Sequence, residues 1–172
     1  CGGYDGFVSQ IALMEGCEPI LAAVYGPTLD VMYLAERNAG ATANGSKLKL
    51  DWQGGGVVLV DNYPEPRGIA NLLFEQLPCA GYLESGSIGL KICRVADGQA
   101  DIFVKDVTVC DWDLAPGHLI LLEAGGVLTD LRSHRISYSG GLEQSGGLIA
   151  AASQDLAQRV TSFLAGVAKY GK

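Results

Sequence analysis

Between residues 7 and 44 the apolar runs of this chain are joined by connections too short for anything but antiparallel strands. Runs at 7–14, 20–25, 31–36 and 41–44 are separated by a Glu15-Gly16 turn, a Gly26-Pro27 corner and the stretch Arg37-Asn38-Ala39-Gly40. A parallel crossover needs about a dozen residues or more, whereas Gly, Pro and Asn supply the backbone angles of tight turns. The spacing therefore predicts an antiparallel meander as the first layer. After Asp51-Trp52-Gln53 and Gly54-Gly55-Gly56 the rhythm changes. A strand pattern at 57–60 is followed by helical spacing at 69–77 that Pro78 stops, a short stretch at 82–84, and a helix at 88–96. A strand at 101–104 and a helix at 113–124, closed by Gly125-Gly126, come next. Strands are expected at 127–131, 136–138 and 148–151, and an amphipathic helix at 156–168. Alternating elements of this kind pack as layers. The predicted class is α/β, as an α+β layered sandwich. The remainder of an antiparallel-sheet subdomain is expected over 1–53, and a C-terminal α/β subdomain over 54–172.

Composition narrows the partners. A chain of 172 residues can bury roughly two-thirds of its unfolded surface, and 48% apolar with 18% charged residues describes a globular chain. The net charge is −7 and the Lys and Arg residues are scattered, so no basic stripe suits a nucleic-acid polymer. No apolar run approaches the roughly 18 residues of a membrane span, and no membrane partner is expected. Cys1, Cys17, Cys79, Cys93 and Cys110 are odd in number and lack the spacing of a zinc site. They read as reduced thiols, which points to the cytoplasm. Cys1-Gly2-Gly3-Tyr4-Asp5-Gly6 runs into the first strand pattern abruptly, as if the sequence began mid-domain.

Two places could carry chemistry. Cys110-Asp111-Trp112-Asp113-Leu114-Ala115-Pro116-Gly117 sets two carboxylates at a helix start, with Asp113 expected as the N-cap. An ionised carboxylate there suits Mg²⁺, a hard cation that prefers oxygen ligands. It equally suits plain helix capping. In Glu84-Ser85-Gly86-Ser87-Ile88-Gly89-Leu90-Lys91 small residues lead into a helix, so an anion could reach the backbone N–H groups of Ser87 and Ile88. A tight turn with a Ser cap would leave the same trace.

Taken in order, these segments resemble the inositol monophosphatase family. The resemblance rests on Gly86-Ser87, then Val95-Ala96-Asp97-Gly98-Gln99-Ala100-Asp101, then Trp112-Asp113-Leu114-Ala115, then Glu123-Ala124-Gly125-Gly126-Val127-Leu128-Thr129-Asp130. Upstream, Tyr33-Leu34-Ala35-Glu36 with Gly40-Ala41 and Asn44-Gly45 resemble the family's central strands, so the likeness covers nearly the whole chain. Pro116 replaces the usual small residue and is expected in the first helical turn, where no N–H bond is lost.

The resemblance implies a Mg²⁺-dependent phosphomonoesterase in which metal ions bridge phosphate oxygens, activate a water and neutralise the leaving alkoxide. It implies Asp113 as a metal ligand and Gly86, Ser87 and Ile88 as the phosphate and substrate pocket. Asp106 would lie near substrate hydroxyls, and Lys91 and Lys105 would face a second phosphate. The substrate would be an inositol phosphate or 3′-phosphoadenosine 5′-phosphate, with the lysines inclining towards the nucleotide. A homodimer is implied. The family's metal-binding Glu helix and its Asp-Pro-x-Asp-Gly-Thr motif have no counterpart here, and Asp5 is given no metal role. The catalytic Glu and Thr are therefore expected in a missing N-terminal segment, and the chain alone should be nearly inactive. A remnant that folds and binds phosphate without turnover is the alternative.

Overall fold

The structure is a computed structural model and describes residues 6–139 and 141–167. Expectations at Tyr4, Asp5 and the helix end at Ala168 lie outside the described residues.

Strands β1 (Ser9–Glu15), β2 (Glu18–Gly26), β3 (Val31–Glu36), β4 (Gly40–Ala43) and β5 (Ser46–Lys47) form a five-stranded sheet in sequence order, each antiparallel to the next. The short turns impose that order, as the spacing predicts. Two-residue β5 was not legible as a strand. The second sheet has the order β10-β12-β8-β6-β7, from β6 (Val57–Asp61), β7 (Cys79–Glu84), β8 (Ile102–Lys105), β10 (Val127–Thr129) and β12 (Leu148–Ala151). Strand β6 lies parallel to β7 and β8, while β12 runs antiparallel to β8 and β10. Helices α1 (Ile69–Gln76), α2 (Ile88–Ala96), α3 (Asp111–Glu123) and α4 (Gln154–Ala165) complete the layers. Strands β9 (Val109–Cys110) and β11 (Glu143–Gln144) form a small separate ribbon.

Period-two alternation decides which layer each strand side chain enters. In the second sheet Val60, Phe103, Leu148 and Ala150 face the core shared with α2, α3 and the first sheet. Val57, Leu59, Ile102, Val104, Ile149 and Ala151 face the core under α1 and α4. The result is a stack of sheet, α2/α3, sheet, α1/α4. Residues 114–121 of α3 are buried all round because the helix is enclosed within the stack. Small residues let the layers approach: a Cβ on Gly117 would lie 3.1 Å from Ile92 of α2. Tyr33, fully buried on β3, donates to Asp97 Oδ2 (2.5 Å), and Arg94 donates to Tyr33 Oη (3.2 Å), tying the first sheet to the end of α2. Burial, then the Asp97 hydrogen bond, pushes the Tyr33 hydroxyl well above its ordinary pKa.

The other face of the first sheet carries Ile11 (70% exposed), Leu13, Leu21 and Leu34 around a shallow hollow of about 600 Å³.

Three expectations need correcting. Residues 136–138 are not a strand. Ile136 is buried and the Tyr138 hydroxyl meets His118 Nδ1 at 2.8 Å, so their alternation reflects side chains entering the core. Gln144 Nε2 donates to the Ser137 carbonyl, a place a ladder partner would otherwise take. Helix α3 begins at Asp111, because Cys110 is still extended in β9 and the Asp111 N–H is held by the Leu142 carbonyl. Asp113 is thus the third helical residue and Cys110 the N-cap. Pro116 consequently lies in the second turn, where it withholds the N–H that would bond the Trp112 carbonyl.

Candidate active site

That carbonyl is satisfied from outside the helix. Gln10 on β1 donates its Nε2 to Trp112 O at 2.9 Å. The same amide lies directly against Gly89, where any Cβ would collide with the Gln10 side chain. Gln10 therefore holds the start of α3 beside the start of α2. One turn further on, Gly117 meets Ile92, so the helices run side by side in the same direction. Both N-termini, with their unsatisfied N–H groups and positive dipole ends, open on the same side.

At the α2 start Gly86 is buried, and Ser87 and Ile88 are half-buried. Ser87 is the N-cap at φ 28°, ψ 139°, and its hydroxyl makes no capping bond. The simple Ser-cap explanation thus fails, and the hydroxyl and adjacent N–H groups are left for another acceptor or donor. At the α3 start Asp111 accepts from Gln144 Nε2 at 2.7 Å. Asp113 is half-buried in the first turn of α3.

Lys91 and Lys105 converge on a feature that sequence reasoning missed. Asp61, fully buried at the end of β6, takes both carboxylate contacts from Lys105 Nζ, at 2.6 and 2.8 Å. Lys91, 1% exposed, donates to Asn62 Oδ1 and sits 4.9 Å from the Phe103 ring centroid. Burial lowers its ammonium to about pKa 8, with Asp61 pulling the other way and Lys105 reinforcing the fall. Asp106, half-buried just past β8, is itself engaged by a neighbour. The Ser85 N–H donates to the Asp61 carbonyl at 2.9 Å, which links the lysine cluster to the loop entering α2. A signal for Asp61 did exist, since an acid closing the apolar run 57–60 stands at a strand's carboxyl end, where open α/β sheets place ligands.

For a divalent cation the donor set is small. Among the described residues no group of three or more His, Cys, Asp and Glu side chains is placed to hold a metal. Asp113 fits as one oxygen ligand of Mg²⁺, an ion that is often held by one or two carboxylates plus water and phosphate. His118 is not a candidate: buried against Tyr138, it is lowered to about pKa 4 by burial and then by Arg135.

Layered sheets with paired helix starts of this kind define a recognised class. The sequence pattern of the Inositol monophosphatase family matches residues 3–165, and the chain belongs to that family. Among curated relatives, a "Putative Nus factor SuhB" of Neisseria meningitidis is 30% identical over 164 residues, spanning 91% of this chain and 60% of the relative. The "3′(2′),5′-bisphosphate nucleotidase CysQ" of Buchnera aphidicola is 33% identical over 136 residues, 77% of this chain and 51% of its own length. The inositol monophosphatase of Anabaena superposes with a TM-score of 0.76 at 23% identity, over 92% of this chain and 64% of the other. This chain thus spans between half and two-thirds of these proteins.

Proposed function

We propose that the chain forms part of a Mg²⁺-dependent phosphomonoester hydrolase acting on 3′-phosphoadenosine 5′-phosphate or an inositol phosphate. The observation that carries this reading is the side-by-side start of α2 and α3, with Ser87 and Ile88 on one and Asp113 on the other, braced by Gln10. The N–H groups at 87 and 88 would orient the phosphate oxygens along the α2 dipole. Asp113 would hold Mg²⁺ with carboxylates from the additional length that relatives carry. The bound ion would supply positive charge for the developing oxyanion and an acidified water. Gly86 lets the backbone approach, and Lys91, Lys105 and Asp106 would face the remainder of the substrate. In support, SaIMPase-II, a solved protein of this fold, has been seen with inositol monophosphate and with 2′AMP. No helix of the described residues is long and apolar enough to cross a membrane. Cytoplasmic residence and a homodimer complete the proposal.

A second reading is binding without turnover. Several relatives bear the name Nus factor, and the described residues gather no metal cluster of their own. Activity measurements separate the two. In the full-length protein, Asp113→Asn should cut Mg²⁺-dependent release of phosphate by at least about a hundredfold, because a charge that stabilises the transition state is removed. Unchanged turnover would overturn the metal assignment, and no turnover in the wild type with either substrate would favour binding alone.

A further inference from the structure

Asp113, the carboxylate fitted to Mg²⁺, sits in a helical turn that its own helix does not fix. In an α-helix the carbonyl of one residue is held by the N–H four residues on. Pro116 has no N–H, so the carbonyl of Trp112, one residue before Asp113, is cut out of the α3 ladder. Among the described residues the Asp113 side chain makes no hydrogen bond or ion pair. The direction of its carboxylate therefore follows the backbone of the first turn.

That backbone is held from outside at two neighbouring residues. Asp111 is tied to the β9/β11 ribbon and its approach: its N–H donates to the Leu142 carbonyl at 2.9 Å, and its Oδ1 accepts from Gln144 Nε2 at 2.7 Å. Trp112 is tied to β1 by the bond from Gln10 Nε2, also 2.9 Å. Gln10 can make that bond in one orientation only. Its Oε1 is buried and accepts from no donor among the described residues. Turning the amide over would set this oxygen against the Trp112 carbonyl oxygen, two acceptors with no proton between them. Gly89 confines the amide from the other side, because an added Cβ there would collide with Gln10 Oε1. One side chain thus touches both helix starts, α3 through a hydrogen bond and α2 through the gap at Gly89. Residue 89 directly follows the N–H groups of 87 and 88.

We propose that Gln10 is a positioning residue: through the Trp112 carbonyl that Pro116 leaves open, it sets the Asp113 carboxylate at a fixed place relative to the N–H groups of residues 87 and 88. The inference rests on the metal role proposed for Asp113 and adds a reason for the two helix starts to keep their spacing. Gln10 and Pro116 act as a pair. With an N–H at position 116 the helix would hold its own first turn, and the Gln10 bond would be dispensable.

The test is a double-variant cycle on the full-length protein. Mg²⁺ is titrated calorimetrically into wild type, Gln10→Met, Pro116→Ala and the double variant. Methionine has nearly the shape of glutamine, packs adaptably and donates no hydrogen bond. Gln10→Met should weaken Mg²⁺ binding about tenfold, the affinity equivalent of one hydrogen bond. The double variant should return to within about threefold of the wild type, because Pro116→Ala gives the Trp112 carbonyl a helical donor. A merely structural Gln10 would not be rescued in this way, since Pro116→Ala restores nothing of the packing against Gly89. In release of phosphate from inositol 1-phosphate, Gln10→Met should raise the Mg²⁺ concentration for half-maximal rate by a similar factor. Unchanged Mg²⁺ affinity in Gln10→Met, or a loss that the double variant keeps in full, would overturn the inference. A wild type that binds no Mg²⁺ would overturn it together with the metal role of Asp113. Absence of all turnover in the wild type, with the calorimetric cycle as expected, would instead discard the hydrolase reading and leave the positioning role standing.

Discussion

Replacing Lys91 with methionine should make the fold more stable. The side chain is 1% exposed, and its pKa falls from the usual 10.5 to about 8 despite the hydrogen bond to Asn62 and the nearby Asp61. That fall corresponds to roughly 3 kcal/mol by which the interior disfavours the charged form at neutral pH. Methionine, one atom shorter, fills most of the same space without the charge and loses only the Nζ approach to the Phe103 ring. Against this stands the Asn62 carbonyl, which loses its donor at a cost of about 1 kcal/mol but is carried by an exposed residue that can turn to water. A net gain of about 2 kcal/mol is expected, raising Tm by about 5 °C for a chain of this size. The sign with pH is fixed. A base whose pKa is lowered on folding carries its penalty below about pH 8, and the penalty fades as the unfolded group also deprotonates towards 10.5. The gain of Lys91→Met should therefore be largest at pH 7 and narrow above pH 8. Differential scanning calorimetry of both proteins at several pH values measures it. A lower Tm at pH 7 would show that Lys91 stabilises the fold, and the reasoning about an uncompensated interior charge would be wrong.

His118 predicts the opposite end of the pH scale: its neutral form is favoured in the fold, so stability should fall from pH 6.5 towards 4 by up to about 3 kcal/mol, and His118→Gln should flatten that part of the urea-unfolding profile. Gln10→Ala should destabilise by about 1–2 kcal/mol by stranding the Trp112 carbonyl, and adding Pro116→Ala, which restores the helical N–H, should recover part of it; additive losses in the double variant would deny the link. Gly117→Ala sets a methyl 3.1 Å from Ile92 and should cost about 1–3 kcal/mol, read as a lower denaturation midpoint.

Much of the fold was legible because local chemistry specified it. The tight turns before β2 and β3 forced an antiparallel meander, and Pro78 and the Gly125-Gly126 pair marked helix ends that the structure places within a residue or two. Residues 136–138 misled because an alternating apolar pattern fits both a strand and a loop whose side chains enter the core, and only the tertiary position of His118 and Gln144 distinguishes them. The α3 start was displaced by two residues because the Asp111 N–H finds its partner on Leu142, far along the chain. Within the candidate site, Ser87, Ile88 and Asp113 could be picked out from helix-start chemistry. Asp61 and Gln10 could not be paired with them, since each acts on residues distant in sequence. Lys91 and Lys105 look like ordinary solvated lysines until the topology sets them beside Asp61.

The bond from Gln10 to Trp112 joins residues 102 positions apart. Neither helix start can be set by its own segment, so the site cannot nucleate with α2 or α3 alone. A loop of that length must close first, and closure entropy is lost before the contact is gained. The helices can form early, while the alignment of their ends waits for β1. In a refolding experiment, far-ultraviolet signals of α2 and α3 should rise before the exposed Trp112 reports its final environment. A protein paused at that stage would hold nearly all its helix with the two helix starts still unaligned.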